Sequence, residues 1–538
     1  MQSANPKGIT MPLASLLKCK ASLTGIALVL SLAFSTAQAE TVLKVVPHAD
    51  LTVLDPLYTT AMITTQHGMM VYDTLFGLDA KLEAQPQMVD KYTMDAAGLK
   101  HSFTLRPGLK FHDGSDVTTR DVIASLNRWM KRSPVGIKLA ANMTAITAVD
   151  AKTFTIELKE PFRQMGLILS TGTTNFPVIM REKEALTDPG KAVTEIVGSG
   201  PFKFVKAEWV PGAKVVYVKF KEYVPRKEAP SGLAGGKVVN VDRVEYIVMP
   251  DDTTKVQALL TGEVDMIDQL TPEQAAVVEG KPKVKVGTVW TPEPYGIIRP
   301  NSLIAPFNNI KARQALALMV DQAEYMTASV GDKKWWRKCY SYFVCGTTNG
   351  TEVGSEDYQK QNLDKARQLL KESGYNGERV VLLSNHEILR SGIFADVTAA
   401  NLRKIGMNVD QQESDWGTLA QRRNNKGSID KGGWNIYHVA MTGGNSPVNG
   451  IAVDQSCTGK NYPGWPCDNE SERLRTVYDQ AATPAARTAA LEALHKRLWE
   501  TLPFVLIGQY QQPFAWRTNI TGVVQPSIVI PFWGLKKQ

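Results

Sequence analysis

The stretch FHDGSDVTTRDV (111–122) brings a histidine and an aspartate side by side in front of a glycine. A histidine can take up and return a proton near neutral pH, and an adjacent carboxylate can orient its ring. His112 and Asp113 could therefore serve general acid–base catalysis, provided that a nucleophile or a substrate-binding group lies close to them. The elements around this pair indicate whether it belongs to a catalytic site or to a structural turn.

The residues around the pair all have structural roles. The alternation in SFTLRPGLKF (102–111) predicts a β-hairpin that turns at its Pro-Gly, and Gly114 suits the turn that leaves its second strand. Thr118 and Asp121, three positions apart, fit a capping box at the start of an amphipathic helix over 121–130. Because turn chemistry accounts for every residue, the sequence favours a turn over a catalytic site.

Signatures of exported hydrolases and nucleotide-dependent enzymes are missing from the sequence. It contains no G-x-S-x-G, no H-E-x-x-H and no P-loop. Ser428 and Lys431 form an S-x-x-K pattern, but it lies in a polar loop without the other motifs of serine–lysine enzymes. We predict that the chain is not an enzyme and uses no cofactor; an exported hydrolase is the remote alternative.

The N-terminus resembles an export signal. Lys18 and Lys20 precede an uncharged apolar run (21–34), and the small residues AQA then end at Ala39. This pattern predicts cleavage after Ala39, a mature chain beginning at Glu40, and a periplasmic location. An uncleaved anchor is the alternative, but the run is shorter than the roughly 20 residues that span a bilayer.

Length and charge narrow the class of protein. Removing 1–39 leaves 499 residues with 58 basic and 53 acidic side chains, a net charge of +5. No Lys/Arg run or basic-aromatic stripe occurs, so nucleic acid is not a predicted partner. A chain of this length exceeds a single hydrophobic core and should form two or three domains.

Cysteine usage agrees with export. Cys19 leaves with the signal, and an even number of cysteines in an oxidising compartment predicts disulfides. The local pairs Cys339–Cys345 and Cys457–Cys467 are favoured over crossed pairings. Neither spacing is the C-x2-C of a zinc site and no histidine lies nearby in sequence, so we predict no metal.

Strand and helix signals alternate along the mature chain, which favours an α/β or α+β architecture. The segment 251–268 predicts a helix ended by Gly262 and then a strand, and 308–326 predicts one amphipathic helix capped by Asn308 or Asn309. The order of six blocks is more specific than any one of them. The blocks are FTLRPGLKFHDGSDVTTRDVIASLNRW (103–129), VGSGPFKFVKAEWVPGAKVVYVKFKEYV (197–224), YIVMPDDTTKVQALLTGEVDMID (246–268), IKARQALALMVD (310–321), ARQLLKESGY (366–375) and LRKIGMNVDQQESDWGTL (402–419).

This series of blocks resembles the extracytoplasmic solute-binding proteins of ABC importers, in the peptide/nickel-type family 5 that includes dipeptide- and oligopeptide-binding proteins. The resemblance implies a two-lobed periplasmic binding protein fold with an extra third subdomain and a ligand cleft between the lobes. It also implies a monomer that captures a peptide or peptide-like solute and delivers it to a permease and ATPase complex in the inner membrane. The implied division is lobe I at 40–75, 195–288 and 505–538, the extra subdomain at 76–194, and lobe II at 289–504, with hinge crossings near 288 and 504.

The resemblance also implies which residues contact the ligand. In lobe I, a hydroxyl-rich loop at Tyr58, Thr59 and Thr60 is a candidate, with a solvated connecting loop as the alternative. In lobe II, GGWNIYHVAMTGGNSPVNG (432–450) matches the family's ligand loop. The lobe II candidates are Asn385, His386, Trp416, Trp434, His438, Met441, Thr442, Gly443 and Asn445.

The chain departs from the peptide-binding pattern in its charges. No acid occurs between Asn435 and Val453 to pair a ligand ammonium, and Asn385 stands where dipeptide binders place an arginine. Burying an unpaired ion costs several kcal/mol. We therefore expect a neutral, aromatic and amide-rich pocket, which suits a longer peptide, a blocked peptide or a polar organic molecule better than a free dipeptide.

Other interpretations of the sequence stay open. The same fold could bind an opine, a glycoside or a metal chelate, the last through His67, His386 and His438 if folding brings them together. It could also deliver its ligand to a chemoreceptor. Four N-x-S/T sequons raise a eukaryotic secreted protein as a further alternative, which the six bacterial-type blocks outweigh.

Overall fold

The computed structural model describes residues 40–170, 175–289, 293–386, 389–441, 448, 450–524 and 528–538. The predicted export signal (1–39) lies outside the described residues, as do Thr442, Gly443 and Asn445 of the predicted ligand loop. Within the described part of the chain, no helix is both long and apolar enough to cross a membrane.

The architecture is mixed α/β, as predicted. The strands are β1 (Val42–Val46), β2 (Phe76–Leu78), β3 (Ala84–Pro86), β4 (Val89–Met94), β5 (Lys100–Leu105), β6 (Met143–Ala148), β7 (Thr153–Leu158), β8 (Phe202–Phe204), β9 (Lys214–Lys219), β10 (Arg243–Ile247), β11 (Met266–Ile267), β12 (Val284–Val289), β13 (Tyr295–Pro300), β14 (Trp336–Arg337), β15 (Arg379–Ser384), β16 (Asn408–Glu413), β17 (Ile436–Met441), β18 (Val505–Tyr510), β19 (Gln512–Arg517), β20 (Ile520–Thr521) and β21 (Lys536–Lys537). The helices are α1 (Met62–Val71), α2 (Thr119–Trp129), α3 (Pro134–Asn142), α4 (Met165–Ile168), α5 (Glu182–Ala185), α6 (Asp252–Thr261), α7 (Pro272–Val278), α8 (Ile310–Leu318), α9 (Gln322–Val330), α10 (Leu363–Glu372), α11 (Leu389–Lys404), α12 (Trp416–Arg422), α13 (Asn469–Gln480) and α14 (Pro484–Thr501).

Among the described residues, three larger sheets organise these elements, and β2-β3 and β20-β21 form two further two-stranded sheets. The first sheet has the order β12-β19-β11-β1-β10-β9-β8, and the second has the order β14-β18-β13-β17-β15-β16. The third is an antiparallel sheet, β4-β5-β7-β6, whose stacked Phe103 and Phe154 rings lie 4.8 Å apart. Helices pack buried apolar faces against the second sheet. Helix α9 contacts β18, and α11 contacts β17.

The predicted hairpin over 102–111 is wrong. β5 pairs with β4 and β7. The Pro-Gly dipeptide follows β5, and the chain after this dipeptide does not pair with β5. Instead, a short ladder forms around the HDG turn, where the Val117 N–H donates to Leu109 O and the Phe111 N–H donates to Ser115 O. Leu109 and Phe111 are both buried, so their alternation marks core contacts rather than a second long strand.

The turn interpretation of His112 and Asp113 is confirmed. His112 Nε2 donates to Gly200 O at 3.0 Å, and Nδ1 accepts from the Gly198 N–H at 3.2 Å, which requires a neutral ring. Burial lowers the pKa of His112 to about 4. The Asp113 carboxylate accepts from the Ser115 N–H and hydroxyl and pairs with Arg181 at 2.7 Å. The pair therefore joins the turn to the chain at 198–200.

Helix boundaries follow the predicted capping chemistry with one difference. The Asp121 carboxylate accepts from the Thr118 N–H and hydroxyl, as the capping box predicts, and Gly262 ends α6 with φ of 91°. However, the segment 308–326 forms two helices. Asp321 caps α9 through the Ala323 N–H, because an aspartate side chain competes with helix continuation at that position.

Both predicted disulfides are present. The Cα atoms of Cys339 and Cys345 lie 5.8 Å apart, and those of Cys457 and Cys467 lie 4.7 Å apart. The second bond closes a loop that contains Trp465, which is buried against Trp434. It therefore restrains a loop that covers the second sheet.

We expect the Cys457→Ser/Cys467→Ser variant to lose about 2–3 kcal/mol of unfolding free energy, since the bond restricts the unfolded chain around a short loop. Urea unfolding of the oxidised protein and of the variant measures the difference. A reducing agent should lower the stability of the wild type towards that of the variant. Equal midpoints for the oxidised wild type and the variant would contradict this role.

Candidate ligand-binding cleft

The chain passes between the first and second sheets at two places. β12 in the first sheet ends at Val289 and β13 in the second begins at Tyr295, while Gln511 alone separates β18 from β19. β18 pairs with β13 and β14, so the second crossing lies at Gln511, beyond the boundary predicted at 504. The division into lobes itself stays a prediction.

The strand directions show that carboxyl ends of parallel strands lie on both sides of these crossings. In the first sheet β1, β10 and β11 run parallel, and β11 and β12 are both antiparallel to β19. In the second sheet β15, β16 and β17 run parallel, and β17 is antiparallel to β13. The carboxyl ends of both parallel sets therefore meet at the crossings. Ligands of α/β proteins bind in crevices at such ends.

A narrow pocket lies at this edge of the first sheet. It is lined by His48, Met62, Gln66, Asp268, Gln269, Val289, Ile528, Val529 and Ile530. His48, which follows β1, and Asp268, which follows β11, join through Nδ1 and Oδ2 at 2.7 Å. Asp268 is buried, and its Oδ1 has no hydrogen-bond partner among the described residues. This side of the crevice thus offers a carboxylate oxygen.

An arginine stands on the other side, in the first turn of α11. The Arg390 guanidinium lies 4.5 Å from the centre of the Tyr510 ring, and Nη1 donates to Gln512 Oε1 at 3.2 Å. Its Nε is buried and meets no acceptor in the described part of the chain. Gln512 Nε2 donates in turn to Leu270 O at 2.6 Å, two residues beyond Asp268. Arg390 and Asp268 therefore flank the same crossing.

A cluster of polar side chains around Glu293 also connects the two crossings through hydrogen bonds. Its carboxylate accepts from Arg337, Gln509 and Gln511, the last at 3.2 Å. The Gln511 N–H donates to Trp335 O at 2.7 Å. This cluster fixes Gln511 at the point where the two sheets join.

The predicted lobe I loop is held by a buried ion pair. Asp55 accepts from Arg128 Nη2 at 2.7 Å and from the Leu57 and Val193 N–H groups. This anchor leaves Tyr58 and Thr60 exposed and Thr59 half-buried. Arg132 lies over the Tyr58 ring at 5.5 Å. The loop precedes α1, whose first residue, Met62, lines the pocket, so contact of Tyr58–Thr60 with a ligand stays a prediction.

Three predicted lobe II residues lie near the carboxyl edge of the second sheet. Asn385 is buried, and its amide donates to Ser414 O at 2.8 Å. His386 is exposed between Asp396 and Glu413, whose hydrogen bonds raise its pKa. Trp416 is half-buried at the start of α12 under Arg423, at 5.4 Å. Their contact with a ligand stays a prediction.

Trp434, His438 and Met441 are buried in this structure, and their contact with a ligand stays a prediction. Trp434 donates from Nε1 to Arg423 O and packs on Tyr437. His438 bonds Thr398 Oγ1 of α11 at 2.7 Å, and burial lowers its pKa to about 3. Met441 ends β17 inside the core. β17 is covered on both faces, so a buried position follows for either direction of its side chains.

The structure does not bring the three histidines of the metal-chelate alternative together. His67 of α1 bonds the Tyr217 hydroxyl of β9 through Nδ1 at 3.0 Å, His386 pairs with surface carboxylates, and His438 bonds Thr398. Burial lowers the pKa of His67 to about 3, as it does for His438. Each ring already has a separate structural role.

Sequence reasoning missed Asp268 and Arg390. Asp268 follows the short buried strand β11, and a polar residue at the end of a parallel strand was the signal available. Arg390 had no such signal, because its position depends on where α11 begins and on packing against Tyr510. The sequence predicts a neutral pocket, whereas these two residues place a carboxylate and a guanidinium group beside the crossing; the contact of either with a ligand is a prediction.

Comparison with known proteins gives consistent matches over most of the chain. The family model "Bacterial extracellular solute-binding proteins, family 5 Middle" matches residues 83–462. A probable peptide ABC transporter periplasmic-binding protein of Sinorhizobium fredii is 37% identical over 495 residues, 91% of this chain and 92% of the relative. The glutathione-binding protein of Escherichia coli (strain K12) is 24% identical over 520 residues, 94% of this chain and 96% of the relative.

Solved structures match the whole architecture. The binding protein AgaA from A. tumefaciens R10, in complex with agropinic acid, superposes with a TM-score of 0.78 at 22% identity, covering 92% of this chain and 99% of that one. A dipeptide-binding protein from Pseudoalteromonas in complex with Met-Leu gives 0.75 at 21% identity, covering 92% and 100%. At 22% and 21% sequence identity, the likeness to these two structures establishes the fold of this chain.

Proposed function

Because the chain belongs to family 5 of the bacterial extracellular solute-binding proteins, we propose that it is the periplasmic binding component of an ABC importer and captures a peptide or peptide-like solute in the crevice between its two large sheets. The 37% identical relative, named as a peptide transporter's binding protein, supports this class of solute. Binding without chemical conversion is the role, and a permease and ATPase complex is the partner.

One observation carries the proposal: opposite charges flank the crossing, and in each of them one hydrogen-bonding atom, Asp268 Oδ1 and Arg390 Nε, has no partner among the described residues. Asp268 Oδ1 can accept from a ligand ammonium, and Arg390 Nε can donate to the oxygen of a carboxylate or a peptide carbonyl. A peptide backbone carries both groups. The buried Asp268 carboxylate and the half-buried Arg390 guanidinium group would thereby gain the partners that such charges need.

We expect Arg390→Gln to weaken peptide binding about 10- to 100-fold, since a hydrogen bond to a charged group contributes about 1.5–3 kcal/mol. Isothermal titration calorimetry with a peptide that binds the wild type measures the change. Arg403→Gln, at the exposed end of the same helix, is the matched control and should bind normally. Equal affinities for the wild type and Arg390→Gln would exclude Arg390 from the site.

A thermal-shift screen of residues 40–538 with both disulfides intact tests the class of solute. The panel contains dipeptides, longer peptides, glutathione, opines, glycosides and nickel chelates. A ligand at 100 times its Kd adds about 2.7 kcal/mol of stability, which gives a visible shift. If only non-peptide solutes raise the melting temperature, the protein binds another class of solute and the proposal of a peptide is wrong.

The remaining features of the proposal follow from export. The signal 1–39 is cleaved after Ala39, the mature protein is a periplasmic monomer, and its lobes are the two bodies built on the first and second sheets. Mass spectrometry of the secreted protein checks the new N-terminus at Glu40. Delivery to a chemoreceptor uses the same binding step and is distinguished by whether uptake of the solute stops when the gene is deleted.

A further inference from the structure

The Gln512 side chain forms hydrogen bonds towards both charged residues of the candidate site. Its Oε1 accepts from Arg390 Nη1 at 3.2 Å, and its Nε2 donates to Leu270 O at 2.6 Å, two residues beyond Asp268. Gln512 is 4% exposed, so bulk water does not compete for its amide group. One buried amide therefore connects the segment that carries the carboxylate to the guanidinium group.

The backbone of Gln512 is fixed in the first sheet. Gln512 stands opposite Val289 in the pairing of β12 with β19, and the next residue, Pro513, accepts from the Leu270 N–H at 2.8 Å. Arg390 belongs to α11, which packs on β15, β16 and β17 of the second sheet. The hydrogen bond from Arg390 to Gln512 therefore fixes the guanidinium group relative to the first sheet.

The groups that hold Arg390 carry no negative charge. One is the Tyr510 ring, whose centre lies 4.5 Å from the guanidinium group, and the other is the amide oxygen of Gln512; in the described part of the chain, Arg390 forms no ion pair. Arg337, at the same crossing, differs because the Glu293 carboxylate pairs with it. A neutral ring and a neutral amide orient the Arg390 cation without compensating its charge.

The chemistry of residue 512 determines what Arg390 offers to a solute. An apolar side chain would leave the guanidinium group free to adopt more rotamers, and ordering these on binding costs free energy. A glutamate would orient the group but would also pair with its charge, because a carboxylate binds a guanidinium group strongly. An uncharged acceptor gives an oriented cation whose charge remains for the solute.

We propose that Gln512 is a positioning residue of the binding site: it holds Arg390 so that the guanidinium group binds an anionic oxygen of the solute, and its neutrality makes the site favour a carboxylate there over the corresponding amide. This inference rests on the function proposed above. Gln512 acts through Arg390 and does not contact the solute. Through Leu270 it also sets where this cation lies relative to Asp268, which binds the opposite charge.

A double-mutant cycle tests the positioning role. Isothermal titration calorimetry measures the binding of Ala-Phe and Ala-Ala-Ala-Phe to the wild type, Gln512→Met, Arg390→Gln and the double variant. Methionine has about the length of glutamine without its amide group, so Gln512→Met should weaken binding about 5-fold, as the loss of a hydrogen bond predicts. In the Arg390→Gln background the same change should have no further effect, because the effects of residues that act together are not additive.

Gln512→Glu, which has nearly the same shape, tests the selection by charge. The wild type should bind each peptide about 10-fold more tightly than its C-terminal amide, since a carboxylate forms the stronger bond with a guanidinium group. In Gln512→Glu this preference should disappear, because the new carboxylate pairs with Arg390. A glutamine with a merely structural role would leave the ratio of the two affinities unchanged.

Gln361→Met is the matched control, since Gln361 is half-buried and donates from Nε2 to Met319 O at 2.8 Å in another part of the chain. It should leave binding unchanged. Equal effects of Gln512→Met with and without Arg390→Gln, or a wild-type carboxylate preference in Gln512→Glu, would overturn the inference while the proposed function stands. If Arg390→Gln alone changes no affinity, the proposed site fails, and if the wild type binds neither peptide, the proposed function fails; the inference falls in both cases.

Discussion

Lowering the pH from 7 to 5 should reduce the free energy of unfolding by about 7 kcal/mol, because desolvation holds four histidines neutral in the folded protein. Burial lowers the pKa of His67 and His438 to about 3 and that of His112 and His495 to about 4. Each loses about 2 kcal/mol of stabilisation by pH 5, at about 1.4 kcal/mol per pH unit.

The sign follows from proton binding. An unfolded histidine has a pKa near 6.5, so below that pH the unfolded chain binds protons that the folded protein does not. Stability from these groups is complete above pH 6.5 and is lost as the pH falls towards the pKa values of the folded state. His386 acts in the opposite direction, because Asp396 and Glu413 raise its pKa.

Urea unfolding followed by tryptophan fluorescence at pH 7 and pH 5 measures this loss. His112→Gln should remove about a quarter of the pH dependence, whatever its effect on stability at pH 7. His386→Gln, an exposed control, should not reduce the loss on the acid side. A wild-type free energy that stays constant between the two pH values would show that the buried rings are not held neutral.

Replacing Arg128 by methionine should cost about 3–5 kcal/mol of unfolding free energy, since it leaves a buried carboxylate without its cation. Arg128 and Asp55 are at most 1% exposed, and their 2.7 Å contact lies in the core between α2 and the loop before α1. Arg128 also donates to Thr187, Asp188 and Lys191 carbonyls. The variant therefore releases both the loop that contains Tyr58 and the chain at 187–191.

Arg120→Met on the same helix is the matched control. Its side chain is 75% exposed and pairs with Glu182 at 2.7 Å, and exposed pairs contribute less than about 1 kcal/mol. The double variant Asp55→Asn/Arg128→Met should regain part of the loss, because the uncompensated charge is gone. Denaturant unfolding of the three variants gives the comparison, and similar values for Arg128→Met and Arg120→Met would contradict the buried-pair argument.

The features that depend on local sequence could be predicted. The two local disulfides, the capping box of Thr118 with Asp121, and the structural role of His112 all follow from neighbouring residues. The fold family followed from the order of blocks along the chain. The hairpin over 102–111 failed because alternation reports burial, and Leu109 and Phe111 are buried without a long partner strand.

Features of the site that depend on distant parts of the chain could not be predicted in the same way. Asp268 and Arg390 are 122 positions apart and meet the same crossing only because of sheet order. Trp434 and His438 are both buried, and the pattern of residues in the matching segment could not predict this burial, because it depends on the elements that pack over β17 and over the chain before it. Charge at the crevice therefore required the tertiary structure.

The single-residue link at Gln511 constrains how the two large sheets can move. Only the torsion angles around that residue can absorb a rotation on that side, and its N–H and side chain are bonded to Trp335 and Glu293. Any rotation of one sheet relative to the other therefore has its axis close to Gln511, and the displacement of an atom grows in proportion to its distance from Gln511.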